Sequence, residues 1–241
     1  MKKYIIAAIL LIPIAAFGWG IGILQGGGGS GGSPTSCIDD LDGGSGVLDD
    51  WVENCGVWGV NRQSDGTAKT GYLDLANNRL ERTEGTGVTT YILNTGFTPT
   101  DADYSANLDT WVSDEANLII RGPIVRGVPG VSDVLNGYGV YIRVNLDKCR
   151  IVRYVDGSST ELTDTTIDNL DWTSSHNIKL EVVGSGVNTV ISAYIDGSVT
   201  PDCTYDDDGG SALDAKGNAG FQTWQSTGYT VYVDNIEVED D

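Results

Sequence analysis

From residue 37 onward the chain is a succession of short runs rich in Val, Ile, Tyr and Thr, separated by clusters of Gly, Asp, Asn and Ser. Such runs are strand-length, and that spacing reads as an all-β sandwich or barrel rather than a helical fold. The clearest are 88–94, 117–121, 139–146, 150–155, 177–183, 189–195 and 229–238. Successive side chains of a strand point to opposite faces. Within 139–146 this puts Val140, Ile142, Val144 and Leu146 on a core side and Tyr141, Arg143 and Asn145 on a side facing solvent or a ligand. Within 117–121, Leu118 and Ile120 point one way and Ile119 and Arg121 the other. Asp156-Gly157-Ser158 and Asp196-Gly197-Ser198 each follow a strand, and Asp-Gly suits tight hairpins because both residues tolerate positive φ. No repeat of fixed period is present.

Ahead of this body stands a different kind of segment. Residues 4–24 carry no charge and follow Lys2 and Lys3. Twenty-one residues at about 1.5 Å each span roughly 30 Å, the thickness of a bilayer core. The two lysines place the N-terminus on the cytoplasmic side and the body outside. A cleaved signal peptide ending near Ala16-Phe17-Gly18 is the competing reading; the apolar run continues through Trp19, Ile21, Ile23 and Leu24, which favours a retained anchor. A Gly/Ser stretch follows and should behave as a flexible coil. The expected organisation is a signal-anchor or signal-peptide helix at 1–25, a linker at 26–36 and one β domain at 37–241.

Asp and Glu number 34 against 14 Lys and Arg, a net charge of −20. Setting Lys2 and Lys3 aside leaves the body at −22. That field disfavours nucleic acid and anionic membrane surfaces as partners, and leaves cations, neutral glycans and basic proteins. Four cysteines, Cys37, Cys55, Cys149 and Cys203, form an even set outside a membrane and read as two disulfides. Of the three possible pairings, Cys37–Cys55 with Cys149–Cys203 is favoured, since each bond then staples neighbouring segments. A zinc site is not expected: there is no CxxC spacing, and His176 is the only histidine.

The order of landmarks along the body carries a resemblance. Asp40-Leu41-Asp42-Gly43 precedes Trp51, Gly56-Val57-Trp58-Gly59-Val60 follows, and then come Asn78-Arg79-Leu80 and Leu118-Ile119-Ile120-Arg121. Gly137-Tyr138-Gly139-Val140-Tyr141-Ile142 leads to Ile151-Val152-Arg153-Tyr154, and the stretch from His176 to Val182 leads to Ile191-Ser192-Ala193-Tyr194-Ile195-Asp196-Gly197. Gly217-Asn218-Ala219-Gly220-Phe221 and Val231-Tyr232-Val233-Asp234-Asn235-Ile236 close the series. This resembles the concanavalin A-like lectin/glucanase superfamily in its laminin-G-like form. The resemblance implies a two-sheet antiparallel jelly-roll sandwich with one curved sheet, whose concave face often holds glycans. Members occur as enzymes, as binding modules, and in adhesins and viral surface proteins.

Glucanases of the superfamily carry a Glu-x-Asp-x-x-Glu strand that sets two carboxylates a retaining distance apart. This chain has none; Glu237 and Glu239 stand two apart without the intervening Asp or a third Glu. No catalytic residue is therefore assigned, and His176 is expected to be a turn residue. Sugars dock on aromatic faces and planar polar groups. Arg121, Tyr141 and Arg143, with Gln222 and Trp224 from another candidate strand, form the candidate glycan-binding set if those strands are neighbours. Jelly rolls also tie first to last strand with Ca²⁺, which takes six to eight oxygens. Asp40 and Asp42 at one end and Asp234 at the other are the candidate calcium ligands, with 206–208 as a second acidic loop. Trp51 and Trp58 read as core or rim, Trp172 as a structural corner, and Trp111 as cover for a sheet edge.

The expectation is a non-catalytic, surface-displayed recognition module that binds a glycan or mediates adhesion, anchored through residues 4–24. Two alternatives remain. One is a structural component of a cell-surface or virion assembly, as a homo-oligomer or larger complex. The other is a carbohydrate-active enzyme with an unfamiliar site.

Overall fold

The alternating runs pair into two antiparallel sheets that face each other across one core. The computed structural model describes residues 36–240, apart from 40–45, 48–50, 54–55, 59–61, 70–72, 78, 83–86, 95, 97–98, 100–102, 116–118, 130–133, 210–211 and 214–216. The expected membrane helix, and the linker up to residue 35, lie outside the described residues.

The strands are β1 (Ser36–Asp39), β2 (Gly46–Val47), β3 (Trp51–Glu53), β4 (Gly56–Trp58), β5 (Arg62–Gln63), β6 (Leu73–Ala76), β7 (Arg79–Arg82), β8 (Thr89–Leu93), β9 (Tyr104–Val112) and β10 (Ile120–Pro129). They continue with β11 (Leu135–Arg143), β12 (Lys148–Val155), β13 (Ser158–Glu161), β14 (Thr165–Thr166), β15 (His176–Val183), β16 (Thr189–Ile195), β17 (Cys203–Asp207), β18 (Asn218–Trp224) and β19 (Val231–Asp240). Sheet I runs β17-β16-β15-β9-β19-β7-β6-β2, with β1 also on β19; sheet II runs β13-β12-β11-β10-β18-β8-β5, with β14 also on β12; β3 and β4 form a separate hairpin. The central pairs β9–β19 and β10–β18 join strands far apart in sequence.

Alternation sets the core as expected. Val140 and Ile142 of β11 and Ile151 of β12 meet Ile178, Leu180 and Val182 of β15 and Ile191 and Ala193 of β16 across the sheets. Phe221, Ile92, Leu80 and Val233 form an adjoining cluster. Cys149 on β12 and Cys203 on β17 are joined by a disulfide that ties sheet II to sheet I. The side chain of Cys37, and all of Cys55, lie outside the described residues.

Three local expectations are corrected. The run 139–146 does not stay extended: after Arg143 it closes into a short 3-10 turn, Val144–Leu146, with Asp147 at φ 50°. The hairpin register pairs Arg143 with Lys148, so 144–147 is the connection, and Leu146 is 46% exposed rather than core. Trp111 covers no edge, because β9 lies between β15 and β19; it stacks on Tyr232, its direct cross-strand partner, with centroids 5.2 Å apart. His176 opens β15 instead of sitting in a turn. Its ring nitrogens lie 2.7 Å from Asp196 Oδ2 and 2.9 Å from the Asp171 carbonyl, and it packs on the buried Trp172.

Candidate functional site

β10 carries an irregularity that shapes the site. Arg121 pairs with Tyr141 and Ile124 with Gly139, so Gly122 and Pro123 together oppose Val140 as a bulge. A bulge is where a central strand tolerates proline, which has no N–H to give. It also shifts the alternation by one residue, so that Arg121 and Ile124, three apart, both point away from the core.

The outer face of sheet II is only partly open. Tyr91, Leu93, Ile124, Leu135, Tyr141, Val152 and Tyr154 form their own buried cluster there. The turn after β5 closes one end: the Ser64 carbonyl accepts from Leu135 N–H at 3.0 Å, and a Cβ on Gly157 would stand 2.4 Å from that same oxygen. The other end is where side chains emerge. β18, β10, β11 and β12 are consecutive neighbours, each about 4.8 Å from the next. They carry Trp224, Arg121, Tyr141 with Arg143, and Arg150 with Lys148.

The polar groups at this open end fall into two sets. Arg150 is engaged through both terminal nitrogens: its Nη1 donates to Glu161 Oε2 at 2.5 Å and to the Tyr141 hydroxyl at 3.3 Å, and its Nη2 donates to Asp164 Oδ2 at 3.1 Å, while its Nε is buried and unbonded. The Tyr141 hydroxyl donates to Glu161 Oε1. That hydrogen bond, with Arg150 beside it, holds the Glu161 carboxyl below the usual carboxylate range, while burial and then Glu161 push the Tyr141 phenol up. Arg121 and Arg143 form the second set. The Arg121 guanidinium lies 4.2 Å from the Tyr141 ring centroid, a cation–π contact. Neither Arg121 nor Arg143 has a hydrogen-bond or ion-pair partner among the described residues, and the Nε of each is buried and unbonded.

The candidate glycan set is thus brought onto one face, but its members differ in what they can offer. Gln222 is fully buried; its Oε1 accepts from the Tyr154 hydroxyl at 2.7 Å and its Nε2 donates to the Val140 carbonyl at 3.1 Å. It braces β18 against β11 from beneath the face. Gly139 makes room for it, since a Cβ there would sit 2.4 Å from Gln222 Nε2. Trp224 is half-buried at the end of β18.

Of the calcium set, only Asp234 falls among the described residues. Asp40 and Asp42 lie outside them. Asp234 Oδ1 accepts from Asn235 N–H at 2.9 Å, at an irregularity in β19. No group of His, Cys, Asp and Glu that would hold a metal occurs among the described residues. The acidic stretch 206–208 is partly consumed by structure: buried Asp207 accepts from the Tyr138 hydroxyl at 2.8 Å and from Arg153 Nη1 at 2.9 and 2.8 Å. Glu237, which accepts from Asn107 Nδ2 at 3.1 Å, and Glu239, 3.9 Å from Lys179 Nζ, belong to sheet I.

No protein-family profile matches the chain, and neither does any curated protein. Solved structures do. The chain is similar to the beta-glucanase of Bacillus licheniformis at 9% identity, over 87% of this chain and 100% of that one, with a TM-score of 0.55. It is similar to a beta-1,3-1,4-glucanase from a mouse hindgut metagenome at 11% identity, over 86% and 99%, with a TM-score of 0.52. It is also similar to the carbohydrate recognition domain of Emp46p in its potassium-bound form at 10% identity, over 76% and 88%, with a TM-score of 0.50. The fold is the concanavalin A-like jelly roll. At such identities the likeness is one of fold, and this jelly roll's site rests on its own residues.

Sequence reasoning missed the Arg150–Glu161–Asp164 network. The signal was present in the Asp156-Gly157 turn. A two-residue hairpin pairs Val155 with Ser158, hence Val152 with Glu161, and places Glu161 on the same face as Arg150.

Proposed function

We propose that this protein is a non-catalytic glycan-binding module that takes its ligand at the open end of the outer face of sheet II, on Arg121, Tyr141, Arg143 and Trp224. The observation that carries this is the pair of guanidiniums without a hydrogen-bond or ion-pair partner among the described residues, one of them stacked on Tyr141. Their terminal nitrogens carry donors that sugar oxygens would take, and the half-buried Trp224 at the same end would meet the apolar face of a ring. A carbohydrate recognition domain among the similar structures supports the reading.

Display at a membrane through residues 4–24, with 26–36 as a tether, belongs to the same reading. Anchoring raises the effective concentration of a weak binder near a surface. A glycan array probed with the full-length protein tests it. The expected result is a defined set of hits that is lost when Arg121, Tyr141 and Arg143 are replaced together by alanine. The same hits should survive Tyr194→Phe on sheet I, where the hydroxyl donates to Glu181 at 2.9 Å. Hits that persist in the triple variant would place the ligand elsewhere.

A further inference from the structure

We infer that the ligand is an acidic glycan, bound through a sugar carboxylate held between Arg121 and Arg143. The inference rests on the glycan-binding reading and narrows it to a substrate class.

Position is the first support. Arg121 lies directly opposite Tyr141, and Arg143 is two residues further along β11 on the same face. The two arginines are therefore diagonal cross-strand neighbours, about 7–8 Å apart at their backbones, within reach of one planar anion between their side chains. The stack on Tyr141 holds the Arg121 fork in place. A guanidinium fork matches a planar carboxylate with two parallel hydrogen bonds.

Charge is the second support. Arg121, Arg143, Lys148 and Arg150 supply four positive charges at this end of the face, against Glu161 and Asp164. Asp147, in the turn between Arg143 and Lys148, adds a third carboxylate; both Glu161 and Asp164 are spent on Arg150, and four cations against three carboxylates leave a local balance of +1 on a chain whose total is −20. A neutral sugar could satisfy the donors but would leave this charge uncompensated; a carboxylate does both. The overall negative field opposes an anion at long range. At 0.15 M salt it is screened beyond roughly 8 Å, so the contact pair decides binding at physiological ionic strength.

The test compares polygalacturonate, alginate and hyaluronan with their carboxyl-reduced, neutral counterparts, and with dextran sulfate, by calorimetry on the full-length protein in chelator. At least one carboxylated polymer should bind roughly tenfold or more tightly than its reduced form, the scale of one charge-assisted hydrogen bond. Arg143→Gln, and separately Arg121→Gln, should remove that preference while the thermal midpoint shows the protein folded. Equal binding of a polymer and its reduced form would overturn the carboxylate but leave the glycan site standing. So would binding only to neutral glycans on the array. Dextran sulfate binding as tightly as the polyuronates would reduce the site to a general polyanion contact and also overturn it. A blank with every polymer and on the array would remove both readings.

Discussion

Burial sorts the arginines of this protein by task. Arg82 is fully buried and donates from Nη1 to Thr90 Oγ1, the Thr223 carbonyl and Thr223 Oγ1, and from Nη2 to the Val88 carbonyl. Arg126, equally buried, donates to the Leu213 and Gly184 carbonyls. These two lock loops, and Arg150 locks the hairpin that carries Glu161. The Glu161 contribution has a definite pH signature. Its folded carboxyl titrates below its unfolded value, so its stabilisation is present above the ordinary carboxylate range and is lost as pH falls through the folded value. Because the side chain is 53% exposed, Glu161→Gln should cost on the order of 0.5–1 kcal/mol at neutral pH. In urea melts that cost should shrink towards zero as the pH falls below about 4; a cost independent of pH would mean the carboxylate charge contributes nothing. The tyrosines give the opposite sign. Burial raises Tyr104, Tyr138 and Tyr154 above the usual phenol value, so the unfolded chain loses protons that the folded chain keeps. Stability should fall as pH rises past about 10, and phenolate absorbance should appear together with unfolding rather than before it.

Two Asp-Gly turns in one chain offer a controlled comparison at the scale of the element. In both, Asp and Gly take positive φ: 46° and 76° at Asp156 and Gly157, 52° and 67° at Asp196 and Gly197. A Cβ on Gly197 meets nothing within 4 Å, whereas on Gly157 it would stand 2.4 Å from the Ser64 carbonyl. Gly197→Ala should therefore cost only the left-handed strain, about 1 kcal/mol. Gly157→Ala should cost roughly 1–2 kcal/mol more and loosen the turn that closes the outer face. Equal losses in chemical denaturation would show that the Ser64 contact carries no energy. The pair also marks what the sequence made legible. Asp-Gly flags both turns, but only the first joins its strands directly; after Gly197 the chain runs on before β17 begins at Cys203. Alternation assigned the faces of β11 and of the start of β10 because it depends on neighbours along the chain. It does not carry across the bulge of β10, where Gly122 and Pro123 reset the parity. It also could not show Gln222 as a buried brace, since Val140 and Tyr154, its partners, sit on strands that reach it only through β10.

For the whole molecule, the question is what keeps the sheets together at the β17 edge. β17 has one strand neighbour, β16, and two further ties reach it from sheet II. Buried Asp207 holds Tyr138 and Arg153, and Cys203 is bonded to Cys149. The sequence pointed to this disulfide through cysteine count and proximity of segments; that it joins two sheets follows only from the order of strands within them. The cysteines are 54 residues apart in sequence. Closing a loop of that length in the unfolded chain is worth about 4 kcal/mol in the chain-entropy account, and measured losses for native disulfides run at about 2–5 kcal/mol. Both sulfurs are buried, so reduction requires local opening or replacement of the residues. The Cys149→Ala, Cys203→Ala double variant should therefore lose about 2–4 kcal/mol in denaturant melts. Hydrogen exchange should localise part of that loss: amides of β17 should exchange faster in the variant, while those of central β9 and β19 follow the change in global stability. If β17 exchanges no faster than β9, the Asp207 cluster alone secures the edge and the disulfide acts only on the unfolded chain. Faster exchange confined to β17 would show that the bond also holds the native edge shut.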